Sequence, residues 1–508
     1  MLGLVVGLTA CTGTVTGVGG GGGDDAPPPQ GDDDGDDTPP LPGQPDAAPP
    51  LPGEPDAAPP PQADPLVAGL HMDEIALFQS VRVPLAKQGA AVAARNATIV
   101  EGRDALVTIS FTVDAGFVAR QVEARVELDG TAFTTTQNVS ASSGDAPSSA
   151  IQIKIPGDAI KTSSTFAVSL HEAAGATAQP GDTSGARYPA SGATDLGAKS
   201  VNGVMHLVLV PFRYASDGSN RLPPTDAASV AAHKAAFQAM YPVADVEVTV
   251  HAPVDTHTTI QSSDSWGVWL DELDAVRQAD NPADNTYYFG LSSPAASFGA
   301  FCNGSCIVGL GHVPGANNSF LFGAVGVSFT GNLLSGTALH EIGHTMGRQH
   351  VDCGGPSGID PNYPYDGGAV GVWGYDAVKG QLKDPATFTD IMGYCNKQWI
   401  SDYEYEAIYQ RLARVNSASF TKLAVSQRYR VGNVDARGVI TWRRFVVLDR
   451  LPEGDAKRVS LRDPSGHELG VAGATYFPYD HAVGGTLYLP ANGVLETASI
   501  ASGGVTTL

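Results

Sequence analysis

The residues able to do chemistry together lie within 337–350, where the chain reads H-E-x-x-H-x-x-G-x-x-H over His340, Glu341, His344, Gly347 and His350. On a helix, His340 and His344 sit roughly 40° apart on one face, so both imidazoles reach one metal ion. Glu341 points away from that face and is placed to hold a water and take its proton. Gly347 can take a positive φ, end the helix and turn the chain. That turn would return His350 as a third ligand. Three neutral nitrogens leave one position for water, the arrangement of a hydrolytic zinc site rather than a structural one.

The motif in this extended form resembles that of the metzincin clan of zinc metallopeptidases. The clan also carries a Met-turn downstream, and Asp390-Ile391-Met392-Gly393-Tyr394-Cys395 is similar to it. By that resemblance Met392 packs beneath the imidazoles as a soft apolar floor. Tyr394 stands where some branches of the clan place a tyrosine that binds zinc and swings out to stabilise the transition state. The resemblance implies a catalytic domain with a mixed sheet and a backing helix, one catalytic zinc, Glu341 as general base and Tyr394 as an auxiliary.

The 508-residue chain is long enough for two or three domains, and its net charge of −23 makes nucleic acid an unsuitable partner. Every charged residue before Arg82 is acidic. The start, Met1-Leu2-Gly3-Leu4-Val5-Val6-Gly7-Leu8-Thr9-Ala10-Cys11, is a short apolar run ending in a pattern similar to a bacterial lipobox. It lacks a basic flank. Cys11 is the expected lipidation site, with an ordinary secretory signal as the alternative. Either way the chain is expected to be exported: lipid-anchored at the bacterial cell envelope or surface, tethered rather than membrane-spanning, or secreted if Cys11 is not lipidated. The remaining cysteines are Cys302, Cys306, Cys353 and Cys395. An even set in an oxidising compartment suggests two disulfides, with three pairings open. The preferred one is Cys302–Cys306 with Cys353–Cys395, the second tying the segment after His350 to the Met-turn.

Five segments follow: the signal at 1–11, a Pro/Gly-rich acidic linker at 12–66, a β domain at 67–198, the catalytic domain at 199–421 and a small β domain at 422–508. The linker contains a near-perfect tandem repeat, 41–50 and 51–60, and its composition cannot bury a core. Short alternating runs at 75–84, 105–113, 122–128, 151–155 and 165–170 predict an immunoglobulin-like sandwich, serving as spacer or docking module. Strands at 206–212, 246–250 and 286–290, alternating with helices at 226–240 and 266–279, predict the mixed sheet of the catalytic domain. The run 324–329 is read as its edge strand, on which an extended peptide would pair. The Gly- and aromatic-rich stretch 363–376 is read as a wall of the specificity pocket, and 399–413 as a closing helix. Strands at 438–442, 445–448 and 485–490 predict a second sandwich. His467 and His481 stand alone in the sequence and are read as non-ligands. Calcium at Asp360, Asp366 and Asp376 is a weaker metal expectation, because no regular calcium-loop spacing is present.

The resulting expectation is a multidomain zinc endopeptidase acting on extracellular proteins or glycoproteins, with an α+β metzincin-like domain between two β-sandwiches. The alternative is a surface adhesion or glycoprotein-binding protein whose metallopeptidase domain is vestigial. Occupation of every expected catalytic position argues against that alternative.

Overall fold

The computed structural model describes residues 65–260, 263–302, 306–330, 335–417, 423–463, 465–492 and 505–506. The expected signal with Cys11, and nearly all of the expected linker, lie outside the described residues. Those described belong to one compact, β-rich unit with few helices. No helix among them is long and apolar enough to cross a membrane.

The N-terminal segment folds as two antiparallel sheets. One contains β1 (Leu70–Lys87), β2 (Ala105–Val113) and β5 (Ile151–Ile155). The other contains β3 (Arg120–Leu128), β4 (Thr131–Val139) and β6 (Thr165–Glu172). Strict alternation in β5 buries Ile151, Ile153 and Ile155 and exposes Gln152 and Lys154, as a strand with one wet face requires. Val107 and Ile109 from one sheet and Val122, Val126 and Val168 from the other share one apolar cluster.

That cluster does not stop at the expected boundary. It continues through Met205, Leu207, Leu339, Ile342, Met392 and Tyr405. Polar contacts join the same parts: Ser80 Oγ donates to Ala239 O at 2.7 Å, and Trp399 Nε1 donates to Ser80 O at 2.9 Å.

The segment expected to be catalytic contains a mixed sheet in the order β8-β7-β9-β11-β10. The strands are β7 (Met205–Tyr214), β8 (Val246–Val250), β9 (Thr286–Ser292), β10 (Gly309–Gly311) and β11 (Gly323–Val327). All neighbours are parallel except β10, which runs antiparallel to β11 at the edge. The edge role expected at 324–329 therefore falls to 309–311, and β11 is internal. A strand bonded on both sides and one bonded on a single side look alike in sequence, since both are short apolar runs. Helices α1 (Ala227–Met240) and α2 (Ser263–Asp280) complete the crossovers. The Asp226 carboxylate caps α1 by accepting from Ser229 N at 2.9 Å. Helix α3 (Ser335–Thr345) carries the histidine motif and is buried from Ala338 onward.

The stretch 363–376 does not line the cleft described below. Its end forms β12 (Gly374–Asp376), which pairs with Ser80–Val81 of β1 and with β13 (Gln381–Lys383). Strand β1 runs beyond its pairing with β2, and on its other edge Ser80 and Val81 pair with β12 from the middle segment. Helix α4 (Asp402–Ser417) follows the Met-turn.

The C-terminal strands are β14 (Gln427–Val434), β15 (Ile440–Leu448), β16 (Asp455–Arg462), β17 (Glu468–Pro478), β18 (Gly485–Pro490) and β19 (Val505–Thr506). They form one sheet, β15-β14-β18-β17-β16-β19, where two packed sheets were expected. The reason is β18, which bonds β14 on one side and β17 on the other and so makes the strands continuous. Leu487 and Leu489 face one apolar cluster, while Tyr488 faces another that includes Leu321 of the middle segment.

Candidate metal centre

Helix α3 ends immediately after His344. Gly347 has φ +83°, its N–H bonds His344 O at 2.7 Å, and Arg348 N–H bonds Gly343 O at 3.1 Å. This pair of bonds is a Schellman cap, and it reverses the chain so that His350 faces the helix again. Arg348 is held beyond the turn by the buried Glu404 carboxylate, 3.1 Å from one guanidinium nitrogen.

The three imidazoles are oriented alike. His340 Nδ1 donates to Ile391 O at 2.7 Å, His344 Nδ1 to Arg348 O at 2.6 Å and His350 Nδ1 to Ser357 O at 2.5 Å. A carbonyl only accepts, so each Nδ1 carries the proton and each Nε2 presents a lone pair. Those lone pairs converge: His344 Nε2 lies 3.1 Å from His340 Nε2 and 3.2 Å from His350 Nε2. Lone pairs at this distance repel unless a cation lies between them. Four-coordinate zinc at about 2.0–2.1 Å from nitrogen separates its ligands by about 3.3–3.4 Å. The residues therefore fit a zinc-sized ion, with a main-chain carbonyl behind every imidazole as outer support. Burial, reinforced by the neighbouring imidazoles, holds His340 and His344 well below the ordinary histidine range and brings His350 to about 4. Neutral imidazole is the ligating form.

Met392 is fully buried beneath α3, with Sδ 2.6 Å from where a Cβ on Gly343 would stand. The turn that presents it is fixed by Asp390. One Asp390 oxygen accepts from Met392 N at 2.7 Å and the other from Ser401 N at 2.8 Å. The Cys353–Cys395 disulfide and the bonds Val351 N to Met392 O and Tyr394 N to Cys353 O tie this turn to the chain after His350. The other disulfide joins Cys302 to Cys306, just before β10.

Glu341 borders a cleft of about 710 Å³ whose lining includes Val308, Gly309, Thr337, His340, Tyr394 and His481. Burial pushes the Glu341 carboxyl up to about 8, with His481 opposing and Asp480 reinforcing the rise. Its Oε2 has no hydrogen-bond partner among the described residues. Tyr394 OH lies 3.2 Å from His350 Nε2 and also contacts His481 Nδ1.

His481 is the correction to the sequence reading. It lies on the turn between β17 and β18, yet its Nε2 stands 3.1 Å from Glu341 Oε1 and its ring packs against His340, His344 and His350. Burial alone would lower it, but the Asp480 and Glu341 carboxylates push it up to about 9. Asp480, missed altogether, places Oδ2 3.1 Å from His344 Nε2. Two groupings are close enough to share an ion: His340, His344, His350 and His481, and Glu341, His344, Asp480 and His481. His467 is remote, bonded to Asp463 within its own turn. Asp360, Asp366 and Asp376 do not converge either: Asp360 accepts from Tyr403 OH at 2.9 Å, and Asp376 faces Lys383 at 3.8 Å.

No curated protein matches the chain. Residues 308–419, from the start of the edge strand through α4, match the family model described as Peptidase M66. The match supports a metallopeptidase family for the segment that builds the buried histidine cluster.

Proposed function

We propose that the chain is a zinc-dependent endopeptidase acting on extracellular proteins or glycoproteins. The observation that carries this reading is the convergence of three Nε2 lone pairs, each fixed by a carbonyl at its own Nδ1. In this reading His340, His344 and His350 hold one zinc ion, which supplies the Lewis acidity that brings a water toward ionisation at neutral pH. Glu341 takes the proton from the attacking water through Oε2, which has no hydrogen-bond partner among the described residues, and passes it to the leaving amine. Tyr394 OH, beside the same point, donates to the carbonyl oxygen as charge develops there. Met392 keeps the ligand helix at a fixed height. An extended substrate pairs with β10, whose neighbours Ile307 and Val308 line the cleft.

The proposed division of labour is a scaffold at 67–198, a metzincin-like catalytic domain at 199–421 and a cleft-contacting β domain at 422–508. Export is part of the proposal, with Cys11 as lipid anchor and 12–66 as stalk; two disulfides suit an oxidising compartment. The test uses the full chain, stripped with a chelator and reloaded with zinc, on a mixed panel of unfolded proteins and glycoproteins. Cleavage lost on stripping, restored by zinc and absent in Glu341→Ala supports the reading. Equal cleavage by zinc-loaded wild type and Glu341→Ala overturns it.

A further inference from the structure

The turn between β17 and β18 carries His481 from the C-terminal sheet into the cleft and is held there from several sides. The Asp480 carboxylate accepts from His481 N at 2.7 Å and from Gly311 N of β10 at 3.2 Å. His312 makes an antiparallel bridge to Tyr479, and Tyr479 OH accepts from Asn433 Nδ2 at 2.6 Å. The sheet behind the turn is joined to the middle segment by Arg450 to Asp284 at 2.9 Å and by Asn318 to the Glu453 carbonyl at 2.7 Å. The His481 side chain is only 10 % exposed, so a fixed main chain fixes the ring.

Both ring nitrogens have polar neighbours. Nε2 stands 3.1 Å from Glu341 Oε1 and 3.4 Å from Asp480 Oδ2. A nitrogen facing two carboxylates presents a proton to them and not a lone pair. Neither oxygen is aligned with it for a hydrogen bond, so the contact is electrostatic. Nδ1 meets the Tyr394 hydroxyl, and because a hydroxyl both gives and accepts, this tie holds for either direction of donation. His481 is thus close enough to His340, His344 and His350 to share their ion, yet its two nitrogens are turned to other groups. Its neighbours are the two side chains to which proton transfer and oxyanion stabilisation are assigned above. With Oε1 drawn toward His481, Oε2 is the Glu341 oxygen left for the water. Tyr394 is 44 % exposed at the rim, and the Nδ1 contact keeps its hydroxyl beside His350.

We propose that His481 is a positioning residue of the active site, supplied by the C-terminal sheet, which sets the Glu341 carboxylate and the Tyr394 hydroxyl in register with each other. The inference rests on the metallopeptidase reading and deepens it: the C-terminal sheet completes the proton-transfer apparatus.

The test uses the full chain with His481→Ala and His481→Gln, and with Tyr394→Phe added to wild type and to His481→Ala. Glutamine restores an N–H at the place of Nε2 and nothing at that of Nδ1. In the zinc-loaded proteins, His481→Ala should cleave an unfolded protein with kcat lower by on the order of 10²-fold and KM within a factor of about three. His481→Gln should recover part of the loss. Tyr394→Phe should cost much less in the His481→Ala background than in wild type, because a tie already cut is not cut twice. Cobalt substitution gives a readout without turnover. The ligand-free visible spectra of wild type and both variants should coincide, because the ligand set is unchanged. Acetohydroxamate passes its hydroxyl proton to the carboxylate beside the metal, and it should bind cobalt-loaded His481→Ala on the order of tenfold more weakly than wild type.

Equal kcat and equal acetohydroxamate affinity in wild type and variants overturn the inference while leaving the peptidase reading intact. So does a loss confined to KM, or a ligand-free cobalt spectrum altered by His481→Ala, which would make His481 a ligand. Failure of the folded wild type to bind cobalt overturns the peptidase reading and the inference together. If no protein is cleaved, the acetohydroxamate comparison decides. Folding is read from thermal melts, and if the alanine variant unfolds, the glutamine variant decides.

Discussion

Met392 and Gly343 are a matched pair: the sulfur occupies the volume that any side chain at position 343 would need, 2.6 Å from its Cβ position. The floor of the site and the middle of the ligand helix are thus set against each other. Gly343→Ala should force the turn down or the helix up, costing about 1–3 kcal/mol. Because His344 is the next residue, zinc affinity should fall as well. Denaturant unfolding of the metal-free protein and a chelator competition check the two effects separately. Unchanged values in both would contradict the pairing.

Asp390 is the bracket of the Met-turn. Its two oxygens serve Met392 N and Ser401 N, and both donors are buried. Asp390→Ala strands those donors, at about 1–3 kcal/mol for each unsatisfied group. Asp390→Asn keeps one acceptor and should lose roughly half as much. Equal stability of the alanine variant and the wild type would show that the bracket is dispensable.

His233 gives the fold an acid sensitivity independent of the metal centre. It lies fully buried on α1 against Phe289, with no hydrogen-bond partner for either ring nitrogen among the described residues. Burial lowers it from 6.5 to about 4. The unfolded chain therefore binds the proton first, and stability falls as pH drops from about 6.5 through 4, by about 3 kcal/mol. His233→Leu should lose stability less steeply over that window. Melting curves across the pH range check this, and parallel profiles for the two proteins would rule it out.

The Cys353–Cys395 bridge closes the segment between His350 and the Met-turn. Cys353→Ser with Cys395→Ser should cost about 2–5 kcal/mol and loosen His350 more than His340. Hydrogen exchange at residues 350–360 would report the second effect; protection equal to that of α3 would contradict it.

What was legible in the sequence was what local chemistry specifies. Histidine spacing on one helix, the glycine needed for its reversal and the alternation of β5 depend on neighbours in the chain. What was not legible depends on distant partners. His481 and Asp480 sit in an ordinary turn, and only the docking of the C-terminal sheet on α2 and β10 brings them to the histidines. Strand β11 looked like an edge because nothing in a short apolar run tells which sides are bonded. The stretch ending in β12 read as a pocket wall because its pairing partner, Ser80–Val81, lies in a different segment.

The most direct measurement is zinc content and turnover of Glu341→Ala beside its parent. The account predicts one zinc per chain throughout and cleavage reduced on the order of 10²–10⁴-fold wherever Glu341 is lost. Undiminished cleavage by the zinc-loaded Glu341→Ala chain would contradict it.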